Sequence, residues 1–221
     1  MDHHLACQRC GARFDPGDFP VGCPACREDG DAGRLEVVPE PDSVSHLVSD
    51  PDERSMWRYR HLLPLVADEP ITLGEGYTPL VGLSTARLEG DRIEVLLKNE
   101  TGNPSWSYKD RLNAMLVSNA THFGRTHFVT SSTGNHGAST AAYAARAGAK
   151  ATLVFLHPAA DAPHRVQLRA YGAAVATLED EARQRLLREF VDRGWYPTVN
   201  VPDAYVGLPY AAEGYKTIAF E

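Results

Sequence analysis

The string SWSYKDR, residues 105–111, sets a lysine behind an aromatic residue at the start of a helical pattern. Ser107 and Asp110 stand in the S-x-x-D relation of a capping box, which predicts a helix beginning at Ser107 with Lys109 in its first turn. That end of a helix dipole disfavours a cation. One reading of Lys109 is a solvated surface charge, the usual fate of lysine. The other is an amine held in a strand-to-helix cleft with its charge disfavoured, where the neutral form makes a Schiff base with a carbonyl.

A second string, TSSTGNHGAS at 130–139, passes from strand to helix through hydroxyls, a glycine and an asparagine. Backbone N–H groups at such a helix start attract anions, and Gly134 lets a ligand come close. A plain N-cap would use the same residue types. Asn135 offers both an amide donor and an acceptor. His136 has the type of a general base, but with no partner evident it reads as a structural or supporting residue. A third group is Cys7, Cys10, Cys23 and Cys26, spaced C-x2-C-x12-C-x2-C. Two tight turns, each presenting two sulfurs, complete a tetrahedron around zinc, and in a reducing compartment this outweighs two disulfides.

The elements that must position these groups follow an alternating pattern. From residue 93, strand-like runs (IEVLLKNE, THFVTSS, ATLVFLH, AAVATL, PTVNV) alternate with helical stretches. The helices are expected over 107–124, 135–148, 161–172 and 179–194, with a last one from about Tyr210. Leu112, Met115, Leu116, Ala120 and Phe123 fall at helical spacing in the first of them. Such alternation implies βαβ crossovers and a parallel sheet, with ligands gathering where strands give way to helices. Three segments result: a zinc ribbon at 1–38, a linker and N-terminal arm at 39–70, and an α/β domain at 71–221. The final helix, with Tyr215, Ile218 and Ala219 on its apolar side, stops in mid-pattern, as in a truncated chain.

Charge narrows the function classes. The 221 residues carry a net charge of −7, and residues 1–40 hold four arginines and no lysine against eight acids. This opposes nucleic acid as a partner and makes the ribbon a structural staple. No stretch is apolar enough for a membrane span and the amino terminus has no signal-peptide pattern, so a cytoplasmic protein is expected.

Together the strings resemble a known family. NPSWSYKDR is similar to the lysine motif of pyridoxal-phosphate enzymes of fold type II, the tryptophan-synthase-β-like fold, and SSTGNHGASTAAYAARAG to that family's Ser/Gly/Asn loop and following helix. ITLGEGYTPL, MWRYRHLLP and the paired cysteines resemble the threonine synthases in particular. The resemblance implies that Lys109 carries the cofactor as a Schiff base and shuttles protons. It also implies that Asn135 bonds the ring hydroxyl, that Tyr108 packs near the cofactor, and that Ser132, Thr133 and Gly134 hold the substrate carboxylate beside His136. The implied reaction converts O-phosphohomoserine and water to L-threonine and phosphate. A threonine/serine dehydratase-like deaminase, or a non-catalytic fragment or half of a split enzyme, stands as the alternative. Trp106, in place of a glycine, is expected to narrow the space beside the substrate. The family's glycine-rich phosphate loop has no counterpart here, so weak cofactor binding is expected, with a homodimer or a complementing C-terminal fragment as partner.

Overall fold

The computed structural model describes residues 1–27, 32–41, 43, 49–83, 86–88, 91–201 and 208–221. Part of the expected linker, at 44–48, lies outside the described residues. The cysteine-rich segment contains β1 (His3–Cys7), β2 (Arg13–Phe14), the single turn α1 (Pro24–Arg27) and β3 (Leu35–Pro39). Its strands form an antiparallel sheet in the order β2-β1-β3. This segment is no detached module. Leu5, Cys7, Cys23, Cys26 and Leu35 share one apolar cluster with Met56, Trp57, Met115 and Tyr210. Tyr210 Oη also accepts from the Gly17 N–H at 3.0 Å, and Arg125 pairs with Asp18 at 2.6 Å.

The arm is packed rather than slack. Met56, Trp57, Leu62 and Leu63 are buried, and the Val66 N–H donates to Asn119 while Ile71 N–H donates to Ser118. Glu75, fully buried, accepts from Trp57 Nε1 at 2.6 Å and Tyr143 Oη at 2.7 Å. Beyond it, β4 (Leu80–Gly82), β5 (Ala86–Leu88), β6 (Asp91–Ile93) and β7 (Leu96–Lys98) form two antiparallel pairs, β4-β7 and β5-β6. The single strand expected from residue 93 therefore resolves into two short ones.

The remainder is α2 (Lys109–His122), β8 (His127–Ser132), α3 (Asn135–Arg146), β9 (Ala151–Leu156), α4 (Ala162–Ala170), β10 (Ala174–Thr177), α5 (Asp180–Asp192), β11 (Tyr196–Pro197) and α6 (Ala211–Phe220). The four strands pair in parallel in the order β10-β9-β8-β11, as the alternation predicts. Their helices end at or just before Gly124, Gly148, Gly172 and Gly194, which the pattern also marks as stops.

Two details depart from the periodicity. Helix α2 is buried almost all round, so Asn113, Ser118 and Asn119 are interior residues that must find partners; Asn113 Nδ2 reaches Ser139 Oγ at 2.9 Å. Helix α6 turns Ala211, Glu213, Gly214 and Thr217 inward, leaving Ala219 exposed and Tyr215 and Ile218 only partly covered. The reason is α2: a Cβ on Gly214 would fall inside the Arg111 carbonyl, so the two helices touch backbone to backbone there. Arg111, completely buried, knits this contact by pairing with Glu100 at 2.8 Å and Glu221 at 2.7 Å. Glu221 also pairs with Lys98 at 2.8 Å, and the two cations, against the cost of burial, hold its carboxyl down at about 2.

Candidate functional site

Lys109 is the first residue of α2, and the capping expected there is built otherwise. Tyr108, not Ser107, is the residue before the helix, and it makes no side-chain cap. Ser107 Oγ accepts from the Lys109 N–H at 3.2 Å, while Asp110 turns back to Ser105, taking its N–H at 2.6 Å and its hydroxyl. Asp110 is buried, so it serves the turn entering the helix rather than the helix start. The half-buried Lys109 amine points into a cleft of about 760 Å³. Its Nζ donates to Tyr215 Oη at 3.1 Å and lies 4.3 Å from the centre of the Tyr108 ring. Burial pulls the lysine pKa down, but the Tyr108 and Tyr215 hydroxyls outweigh it and hold it above the ordinary range. In the ligand-free chain the amine is therefore charged. That corrects the expectation of a disfavoured charge, and the cause is a pair of aromatic hydroxyls from the helix start and from α6.

Ser132, Thr133, Asn135 and His136 line the same cleft. Ser132 Oγ accepts from the Gly134 N–H at 3.0 Å and the Gly137 N–H at 2.9 Å, so the serine caps α3 and occupies the glycine amide. The N–H groups of Asn135 and His136, in the first turn of α3, have no intrahelical acceptor. Gly134 adopts φ +155°, and a Cβ there would meet the His164 ring. That imidazole, from α4, is hydrogen-bonded to Asn135 Oδ1 at 3.0 Å. His136 contacts Thr198 Oγ1 at 3.2 Å, and Thr198 continues to Thr140 at 2.8 Å. Burial, then the Lys109 ammonium, lowers the His136 pKa to about 4, so the ring is neutral at pH 7.

The fold brings Tyr108, Lys109, Ser132, Thr133, Asn135 and His136 together because β8 ends, and α2 begins, at one edge of the sheet. Trp106 is not part of that lining. It stands 69% exposed with φ +64°, in the left-handed region, and so does not narrow the cleft. Four lining residues carry no local signature in the sequence: Arg34, His164, Arg183 and Tyr215. Tyr215 sits in a stretch that reads as an apolar helix side, and only the close α2–α6 contact turns it toward Lys109.

The four thiols also converge. Their Sγ atoms lie within 4.8 Å of one another, with Cys7–Cys26 at 3.7 Å and Cys10–Cys23 at 3.8 Å. A tetrahedral zinc with ~2.3 Å bonds to sulfur has S–S edges of roughly 3.8 Å, so the donor set fits that ion. These separations are far from a disulfide bond, and all four cysteines are free. Burial raises the Cys7 thiol, but hydrogen bonds from the backbone at Cys10 and Arg9 and from neighbouring thiols bring it down to about 7.

A family model described as pyridoxal-phosphate dependent enzyme matches residues 71–221. The chain belongs to that family. Among curated proteins it is similar to threonine synthase of Methanocaldococcus jannaschii, 31% identical over 97% of this chain and 52% of that protein. It is also similar to threonine synthase of Halalkalibacterium halodurans, 34% identical over 76% of this chain and 48% of the relative. The chain thus spans about half the length of the curated relatives it matches. Diaminopropionate ammonia lyase of Escherichia coli shares the fold, with a TM-score of 0.54 at 16% identity over 67% of this chain and 47% of that one. Among the described residues, no helix is long and apolar enough to cross a membrane.

Proposed function

We propose that this chain carries the lysine part of a threonine-synthase-type lyase site, in which O-phosphohomoserine and water become L-threonine and phosphate. One juxtaposition supports it. Lys109 and the 132–136 turn share a cleft, in a chain whose similarity to a threonine synthase runs over 97% of its length. The residues suit pyridoxal phosphate chemically: a primary amine opens on the cleft, and a helix N-terminus there offers N–H groups. When bound, the cofactor supplies the electron sink for breaking bonds around the amino-acid carbon. Lys109 Nζ would hold the cofactor and, when not bonded to it, would be the amine placed to take up and return a proton at the substrate, with Tyr215 Oη 3.1 Å away. The neutral His136 imidazole does not compete as a proton donor at pH 7. Asn135, braced by His164, orients the ring hydroxyl, and the first turn of α3 receives the substrate carboxylate. In this reading a complementing segment supplies the phosphate loop, and the four thiols hold a structural zinc in the reducing cytoplasm.

The test is borohydride reduction of the purified chain with pyridoxal phosphate, followed by peptide mass mapping. Reduction traps even a weakly held adduct. Lys109 should carry the label and Lys109→Ala should lose it. Labels spread over Lys98, Lys150 and Lys216, the other three lysines, would sink the reading. Turnover of L-threonine to an oxo acid and ammonia would assign the dehydratase chemistry instead.

A further inference from the structure

The cleft that receives the Lys109 amine has no aspartate or glutamate among its described lining residues. The amine turns instead to a phenol: Nζ donates to Tyr215 Oη at 3.1 Å, across 106 residues of chain. Two tyrosines meet this amine in different ways. Tyr108 presents its ring, centred 4.3 Å from Nζ, whereas the Tyr215 ring centre lies farther off at 5.5 Å and its oxygen comes close.

Accepting that bond occupies one lone pair of Oη and leaves the hydroxyl proton still to be placed. Tyr59, Tyr143 and Tyr210 donate theirs to the Phe220 carbonyl, the Glu75 carboxylate and the Gly17 carbonyl. No acceptor among the described residues takes the proton of Tyr215, which is half-buried and lines the cleft. Burial pushes its pKa above the ordinary range, and the Lys109 ammonium offsets this only in part, so the hydroxyl is protonated at pH 7.

The separation of the pair is fixed by backbone packing. Tyr215 follows Gly214, where a Cβ would lie 2.0 Å from Arg111 O, and Arg111 Nη1 donates to Thr217 Oγ1 at 2.8 Å. Lys109 stands two residues before Arg111, and Tyr215 two before Thr217. The same contact between α2 and α6 therefore sets both partners, and proton transfer over a single hydrogen bond needs such a fixed geometry.

We propose that Tyr215 is the acid–base partner of Lys109: Oη receives a proton from Nζ while its own hydroxyl proton passes to a ligand oxygen in the cleft. An N–H bond breaks, one O–H bond forms on the phenol as another breaks, and the ligand gains the proton; the phenol stays neutral, and the reverse transfer restores the pair. The inference rests on the lyase reading only for the ligand that takes the proton. The other titratable groups on the cleft are Tyr108, His136 on α3, His164 on α4, Arg183 on α5 and Arg34 of the ribbon.

Competitive acetylation of the full chain with acetic anhydride from pH 7 to 11, read by peptide mass mapping, titrates Lys109 without any cofactor. Tyr215→Phe keeps the ring and removes the acceptor. The Lys109 midpoint should move to lower pH, so that acetylation at pH 8 runs roughly tenfold faster, while the exposed Lys150 and Lys216 stay unchanged. Reciprocally, the NMR titration of Tyr215 Cζ should move to higher pH in Lys109→Met, and this holds the pairing to account even where Tyr215→Phe is unstable. An unmoved midpoint in either measurement would overturn the pairing. Exchange of the α-proton of O-phospho-L-homoserine into D2O, with pyridoxal 5′-phosphate present, tests the transfer: Tyr215→Phe should slow it at least tenfold, and equal exchange in both chains would overturn it. Borohydride labelling of Lys109 reports on the lyase reading separately. A label with equal exchange discards the transfer alone, and a missing label with a shifted Lys109 midpoint discards the lyase reading and keeps the pair.

Discussion

The four-cysteine ribbon and the lysine cleft are built on opposite plans. In the ribbon all donors lie within residues 7–26, and two local turns bring them together. In the cleft the lining comes from residues as far apart as Arg34 and Tyr215, and no single turn joins them. So few residues cannot enclose a core of their own, and the ribbon leans on Met56, Met115 and Tyr210, with the proposed zinc as its second source of cohesion. The cleft rests on a buried sheet and the α2–α6 contact, so its frame should stand without ligand. The setting of Lys109 thus depends on distant packing, whereas the thiol cluster depends on spacing.

Removing metal should give the largest effect and the sharpest contrast. Native mass spectrometry should find one zinc per chain. Structural zinc in small peptides is worth on the order of 10 kcal/mol of binding energy. Chelation should therefore strip amide-exchange protection from residues 1–27 while α2 and α3 keep theirs. Simultaneous loss in both regions would erase the distinction.

Gly214→Ala attacks the cleft through packing alone. The new methyl would overlap the Arg111 carbonyl, and α6 must move away from α2. Destabilisation of roughly 3 kcal/mol is expected, read from urea midpoints, together with loss of the Tyr215–Lys109 contact. A neutral substitution would mean that the helices do not meet there.

His136 gives the cleft an acid sensitivity of its own. Its folded pKa of about 4 lies below the ordinary 6.5, so the stability tied to its neutral form is fully present above pH 6.5. That stability is lost as pH falls from 6.5 through 4, by up to about 3 kcal/mol. Urea midpoints at pH 7 and pH 4.5 should diverge in the wild type and converge in His136→Asn. Equal divergence in the variant would place the acid response elsewhere.

Trp106→Gly should have the smallest effect. It relieves a left-handed φ worth ~1 kcal/mol, partly offset by the freer unfolded chain, and should raise the melting temperature by a few degrees. A fall would show that the exposed indole makes contacts worth more than the strain.

How much of this was legible follows from the same contrast. The parallel sheet was readable because short β-rich runs and Gly-terminated helices alternate without interruption. Lys109 and the 132–136 turn were readable because each sits in a local string. Asp110 misled: its spacing from Ser107 is that of a capping box, but a buried carboxylate takes the nearest donors, and Ser105 supplied two. Tyr215 was hidden in a helix whose facing depends on Gly214 fitting against another helix. The charge of Lys109 was hidden for the same reason, since Tyr215, one of the two hydroxyls that hold it, arrives from 106 residues away.

By itself the sequence determined the order of strands and helices, the four-thiol cluster, and the lysine and glycine turn that resemble a pyridoxal-phosphate enzyme. Those are written in periods and short spacings, which act along the chain. Only the tertiary structure decided that α6 lies on α2, that Trp106 stays outside the described cleft lining, and that Arg34, Arg183 and Tyr215 line the same cleft as Lys109. Contacts of that kind depend on which surfaces pack together, and packing joins residues that no local pattern connects.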